Sequence, residues 1–308
     1  MSVAINGLQP SGFSINGLSI DGLATHGNVI WRRPATPSTI MDFTDKFIEK
    51  ATKANGLTVT KLGSGRYRFD FASAVAMDMP ILDVSSTGNM SEWGDWSDGY
   101  ILFYFKSEIK TANNIYQQPN NPVNTSENIV QLISTKTTPT SNGYIRLRNG
   151  SSAISAGTSV EVRMNLLMIP YTSLVDISET MLSSLKSNNS KMTFTRQSVY
   201  TYRLTVNGTI NAWQNLISLG ATTRYTALDS GIVILDIESS SFELYAGLWV
   251  ENIGNIGPLA SDTLNAYQIA SFASKGARVE FNAKNKTTLN SGTYFLTLKM
   301  YTVPYQLS

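Results

Sequence analysis

The chain has 308 residues, 42% hydrophobic and 10% aromatic, which supplies apolar mass for real cores and excludes a disordered chain. A net charge of +2 with dispersed Lys and Arg argues against nucleic acid as the main partner, and no apolar run approaches the about 20 residues needed to cross a bilayer. Zero cysteines exclude disulfides, thiolate zinc sites and thiol catalysis, and a single histidine, His26, weighs against a catalytic triad or a His-based metal site.

Residues 1–37 are expected to form an extended N-terminal segment. A short repeat runs through them: Ile5-Asn6-Gly7-Leu8, Ile15-Asn16-Gly17-Leu18, then Ile20-Asp21-Gly22-Leu23, closing on Val29-Ile30-Trp31. Asn-Gly and Asp-Gly between apolar residues signal tight turns, so the segment reads as very short strands or turns, too small to bury a core alone. Trp31 to Pro37 reads as a linker, because its two prolines resist continuing a helix or a sheet. The opening MSVAINGLQP has neither a basic n-region nor an apolar h-region, so no secretory signal is expected.

Residues 38–172 begin with Ile40, Phe43, Phe47 and Ala51, spaced as one helical stripe. Strand patterns follow at Arg66–Phe71, Asp98–Phe105 and Gly157–Tyr171, punctuated by Gly, Asn and Pro. Gly63-Ser64-Gly65 precedes a strand and reads as a turn, while Gln117–Asn128 reads as a polar surface loop. Residues 173–308 repeat this order. Ile177, Met181 and Leu185 form the stripe, behind an expected capping box of Asp176 and Glu179. Pro170 then matches Pro304, Gly157 matches Gly292 and Gly99 matches Gly231, at nearly constant spacing. Five matches in one order predict an internal duplication. The expected fold is mainly β: two tandem antiparallel β-sandwich, jelly-roll-like domains, each preceded by one short helix.

The densest chemistry lies at Glu92-Trp93-Gly94-Asp95-Trp96-Ser97-Asp98. Trp93 and Trp96 beside Asp95 and Asp98 suit a saccharide, with ring faces for C–H surfaces and carboxylates for hydroxyls. The bland alternative is a loop whose tryptophans pack on the sandwich end. A glycosidase needs two carboxylates about 5 to 9.5 Å apart, and nothing in the sequence singles out a pair. The spacing does not fit an EF-hand calcium loop, and no cofactor or metal is expected.

The run Ile5-Asn6-Gly7, Ile15-Asn16-Gly17, Ile20-Asp21-Gly22 and Trp31 resembles the "ING" repeats of structural proteins of tailed bacteriophages, over about the first 34 residues. The cysteine-free, Ser/Thr/Asn-rich remainder is similar in style to phage fibre, collar, baseplate and head-decoration proteins. That resemblance implies a non-enzymatic virion component. Its N-terminal segment would dock to other virion proteins, its tandem sandwiches would be displayed, and a homo-oligomer would be common. Recognition of a host cell-surface glycan and carboxylate-based hydrolysis are the alternatives. Heptads and long Gly-X-Y runs are missing, which argues against a fibrous shaft.

Overall fold

The computed structural model describes residues 13–15, 18–20, 22–25, 28–32, 40–84, 99–116, 124–134, 144–150, 152–227, 229–256 and 266–305. The chain is an antiparallel β protein. Near its start are β1 (Phe13–Ile15), β2 (Leu18–Ile20), β3 (Gly22–Thr25) and β4 (Asn28–Arg32). β1 pairs with β2 and β3 with β4, as two separate two-stranded ladders. The first ladder sets Ile15 opposite Leu18, and Asn16 and Gly17 themselves lie outside the described residues. The second departs from expectation. Gly22 lies inside β3 opposite Arg32, and the ladder ends at the pair Thr25 and Asn28. β4 also carries Trp31 and Arg32, which the proline content had suggested were linker.

The first half of the body runs through β5 (Met41–Asp42), α1 (Thr44–Lys50), β6 (Thr52–Lys53), β7 (Leu57–Gly63), β8 (Arg66–Phe71) and β9 (Pro80–Asp83). It continues with β10 (Gly99–Tyr116), β11 (Asn124–Ser134), β12 (Tyr144–Asn149) and β13 (Thr158–Pro170). β11 takes in Asn124 to Asn128, so the polar stretch expected as a surface loop is partly strand. The second half comprises β14 (Val175–Asp176), α2 (Ser178–Met181), β15 (Lys186–Ser187), β16 (Met192–Arg196), β17 (Thr201–Val206) and β18 (Asn215–Leu219). Then come β19 (Gly231–Ser239), β20 (Leu244–Val250), β21 (Gly254–Ile256), β22 (Ala266–Ala273), β23 (Val279–Asn285) and β24 (Gly292–Pro304).

Both halves repeat one pairing order. β7-β8-β13-β10-β11 corresponds to β16-β17-β24-β19-β22, with β5 on β13 and β14 on β24. β6-β9-β12-β10 likewise corresponds to β15-β18-β23-β20. One difference stands out. β10 is a single strand whose first part pairs β13 and whose last part pairs β12, so the first half forms one continuous folded sheet. In the second half that path is broken between Ser239 and Leu244, and two separate sheets face each other.

The same small devices anchor both helices. Asp42 Oδ1 accepts from Thr44 N–H at 2.9 Å, and the buried Thr44 hydroxyl accepts from Leu166 N–H at 2.9 Å. In the second half Asp176 Oδ1 accepts from Ser178 N–H, and buried Ser178 Oγ accepts from Met300 N–H, both at 2.8 Å. The expected Asp176–Glu179 capping box therefore does not form as such. Ile177 occupies the N-cap without a side-chain bond, and Glu179 turns instead to Arg196 at 3.0 Å. Where β10 and β19 start, the neighbouring strand passes very close. A Cβ on Gly99 would stand 2.2 Å from the Ile169 carbonyl oxygen, and one on Gly231 would stand 2.4 Å from that of Val303. Only glycine fits there.

Two cores result. Alternate residues of β10 and β13 (Ile101, Phe103, Phe105, Leu166, Met168) enter the first core, where Phe47 of α1 meets Phe103 edge-on at 5.9 Å. The intervening residues (Tyr100, Leu102, Tyr104, Leu167, Ile169) enter the core of the second half. Both faces of these central strands are thus buried, and the halves pack sheet face on sheet face. Tyrosines line this junction. Tyr104 meets Phe272 at 5.0 Å, and Phe272 meets Tyr305 at 5.8 Å. Burial pushes Tyr301 up to about 12, reinforced by the carboxylates of Asp176 and Asp236. Tyr305 is likewise pushed up to about 12 by burial, with Asp42 adding to it.

Two outcomes follow from these contacts. The junction tyrosines ionise from 10.0 in the unfolded chain but only near 12 when folded, so their contribution is complete below pH 10 and is lost as pH rises toward 12. Stability by urea titration should therefore be flat from pH 7 to 9 and fall above 10, with a smaller fall in the Tyr301→Phe, Tyr305→Phe double variant. The second concerns equivalent tyrosines of β8 and β17. Tyr67 OH donates to Asp45 at 2.8 Å, whereas buried Tyr202 OH has no hydrogen-bond partner, because Glu179, at the position of Asp45, is held by Arg196. Tyr67→Phe should cost about 1 kcal/mol and Tyr202→Phe about nothing in denaturant unfolding.

Candidate functional site

Several residues singled out in the sequence fall outside the described residues: Ile5, Asn6, Gly7, Asn16, Gly17 and Asp21 in the repeat, and Trp93, Asp95, Trp96 and Asp98 in the acidic-aromatic loop. His26 is also among them. Ile15, Ile20, Gly22 and Trp31 are placed on β1, β2, β3 and β4 respectively. Within the described residues, no three His, Asp or Glu side chains are gathered as a metal site, and no helix is long and apolar enough to cross a membrane.

What the structure does assemble is an aromatic sheet face that the sequence reading passed over. In β20, Leu244, Ala246, Leu248 and Val250 enter the core, so Tyr245, Gly247 and Trp249 point the other way. The facing strand β23 alternates identically. Val279, Phe281 and Ala283 lie inside, while Glu280, Asn282 and Lys284 stand outside, opposite Trp249, Gly247 and Tyr245 in that order. Ser218 of β18 continues the middle row beside Asn282. Successive outward residues lie about 7 Å apart, and between the half-buried rings of Tyr245 and Trp249 the backbone of Gly247 is itself buried.

Trp213 closes one end of this face. Its loop is pinned by Asn285, which is fully buried: Asn285 Nδ2 donates to Asn211 O at 2.7 Å and Thr287 O at 2.8 Å, and its Oδ1 accepts from Gln214 N–H at 3.0 Å. Trp213 N–H donates to Asn285 O at 2.6 Å. Held this way, Trp213 adopts φ 64, a left-handed conformation that a bulky side chain enters at a cost of about 1–2 kcal/mol. The residue is 43% exposed, and its ring tilts against Tyr245 at 5.9 Å and has Lys286 Nζ 5.8 Å from its centroid. At the other end, the Arg278 guanidinium lies 4.7 Å from the centre of the Trp249 ring. Glu251 accepts from Arg278 N–H at 2.9 Å and from Arg224 at 3.0 Å. The Arg278 backbone bond, followed by the two guanidinium charges, holds its carboxyl below the usual range.

The equivalent face of the first half is built differently on the same backbone. Arg146, in the place of Asn282, binds Asp83 at 2.8 Å, and Asp83 stands where Ser218 does. Asp78 shares the left-handed conformation of Trp213, at φ 63, and lies 3.4 Å from Arg148. Ala112 and Asn114 occupy the ladder positions of Tyr245 and Gly247. Among the described side chains, the first face thus has ion pairs at Arg146 and Arg148 where the second has Asn282 and Lys284, and Tyr116 takes the ladder position of Trp249. Asn149 repeats the buried amide pin of Asn285, donating to Val75 O at 3.1 Å and Ala76 O at 3.0 Å.

No family model and no curated protein matches the chain. Among solved structures, it is similar to a carbohydrate-binding module, CBM27-1 of Caldicellulosiruptor saccharolyticus in complex with mannohexaose (TM-score 0.26, 11% identity, 44% of this chain and 97% of that one). The tandem CBM22-1-CBM22-2 domain of Paenibacillus barcinonensis Xyn10C gives TM-score 0.23 and 9% identity over 87% of this chain and 97% of that one. Broad Bean Stain Virus gives TM-score 0.22 and 10% identity over 83% of this chain and 92% of that one. Likeness at this level carries no functional argument.

The Asn285 pin is directly testable. Asn285→Ala should destabilise the chain by about 3 kcal/mol in denaturant unfolding, because it strands buried carbonyls and frees the Trp213 loop. A loss below 1 kcal/mol would show that the loop is held by other contacts.

Proposed function

We propose that the chain is a non-enzymatic structural component of a bacteriophage virion, composed of an N-terminal attachment segment (residues 1–37) and tandem sandwich units (38–172 and 173–308). The observation carrying this reading is the separateness of the N-terminal ladders. Among the described residues, β1–β2 and β3–β4 pair only within themselves and take no place in the sheets of the body. Each such ladder keeps outer strand edges, and an edge with unpaired N–H and C=O groups gains hydrogen bonds and burial by adding to a neighbouring sheet. The body is suited to display, because one face of the first half's central strands is buried in the core of the second half and joins the two. Other virion proteins are the partners of this reading, a homo-oligomer its assembled form and the virion its location. Ile15, Ile20, Gly22 and Trp31 lie on the strands that would dock.

The full-length chain should co-purify with assembled particles at a fixed copy number. A chain lacking residues 1–37 should keep its circular-dichroism spectrum and melting temperature yet be lost from particles. Continued incorporation of that truncation would overturn the attachment role.

A further inference from the structure

We propose that β16 is a self-association edge: two copies of the chain pair β16 with β16 across a two-fold axis at Phe194, joining their sheets end to end. This deepens the homo-oligomer of the proposed function and rests on that element alone, since no residue of the attachment segment takes part.

The hydrogen-bond phase of β16 leaves its outer side open. Gln197 N–H donates to Thr201 O at 2.8 Å, and Leu298 N–H donates to Tyr200 O at 2.8 Å. Counting along the β16–β17 register from these bonds, Thr193 and Thr195 turn their backbone groups toward Thr205 and Arg203. Those of Phe194 and Arg196 therefore point away from the sheet, where no described strand pairs with them. Met192 is already served, its N–H by Asn189 O at 3.1 Å and its carbonyl by Ser187 Oγ at 3.3 Å.

Other edges of the body are guarded. β7, the counterpart of β16 in the first half, carries Lys61 and a bulge between Lys61 and Gly63, and both features deter pairing. β6 and β15 are two residues long and β21 is three. β22, at the far end of the same sheet, lies beside β11. β16 has no bulge, no proline and no lysine. The cations flanking its centre are held within their own chain, Lys191 Nζ on Thr209 O at 2.9 Å and Arg196 on Glu179 at 3.0 Å.

Self-complementarity names the occupant. β16 reads Met192-Thr193-Phe194-Thr195-Arg196, with a threonine on either side of Phe194. About a two-fold axis there, the Phe194 N–H and C=O meet those of the copy as a hydrogen-bonded antiparallel pair. Thr193 then stands opposite the copy's Thr195, a favourable cross-strand pair, and the axis repeats it. Met192 and Phe194 face the core while Thr193 and Thr195 are exposed, so apolar edge meets apolar edge and hydroxyl face meets hydroxyl face. The half-buried Phe194 ring, stacked on Tyr202 at 5.0 Å, gains the ring of its copy.

Sedimentation of the full chain over a concentration series reads the equilibrium, and a reversible dimer is expected from so small an edge. The Thr193→Glu, Thr195→Glu double variant sets carboxylates opposite each other across the axis and should weaken the dimer roughly tenfold. The Thr193→Lys, Thr195→Glu variant sets each cation opposite a carboxylate in the same register and should restore it. Both positions are exposed, and Thr195 lies opposite Arg203, so these changes spare the core. Thr60→Glu on β7 should leave the dimer unchanged. The interface is overturned if the chain is monomeric at every concentration, if the two-glutamate variant dimerises like the parent, if the opposite-charge variant fails to restore the dimer, or if Thr60→Glu weakens it. Incorporation into particles is scored on the same chains. A monomeric chain that is still incorporated refutes this interface and leaves the attachment role standing, and a dimer that is never incorporated does the reverse.

Discussion

The fold depends on central strands that are apolar on both faces. β10 and β13 give Ile101, Phe103 and Phe105 to one core and Tyr100, Leu102 and Tyr104 to another, and β19 is buried in the same two-sided way from Gly231 to Leu235. A sheet with one wet face needs only alternation, and it could stand alone. Here the second face must be covered too, so each half supplies the cover for the other. Everything peripheral is arranged around that junction. The helices are tied to β13 and β24 by a hydroxyl, Thr44 or Ser178, on a backbone N–H. The tyrosines sit where sheet meets sheet, and the free faces look away from it.

Much of this was legible in the residues. Period-two alternation in Val162, Met164 and Leu166 correctly marked one buried face, and the matched glycines and prolines lie at equivalent ladder positions, Gly99 opposite Pro170 and Gly231 opposite Pro304. Alternation was silent about the second face. The unbroken run Leu166 to Ile169 is the signature of two-sided burial, but a run that short fits several structures. The capping box did not form because its two acids are used elsewhere. Asp176 acts one residue outside the N-cap, and Glu179 is captured by Arg196, a partner distant in sequence terms.

The aromatic face shows a different limit. LYAGLWV alternates aliphatic and aromatic residues, so its pattern reads as apolar throughout, and only the pairing with β23 shows which set points outward. Trp213 gave no signal at all, since nothing in Ala212-Trp213-Gln214 announces a left-handed residue. The Trp93 to Asp98 cluster drew attention because its acids and rings are contiguous, whereas the face in β20 and β23 is assembled from strands far apart in the chain.

The one-chain linkage of the two halves has a further consequence. Two like surfaces that meet between separate molecules part on dilution, and each must stay acceptable to the other in every copy. Joined by the four residues Tyr171 to Leu174 between β13 and β14, they meet at a fixed local concentration whatever the abundance of the protein. Their association then sets no lower limit on expression. Selection can also act on the two outward faces separately: one can keep its ion pairs while the other bears a strained, exposed tryptophan at no cost to the shared interior.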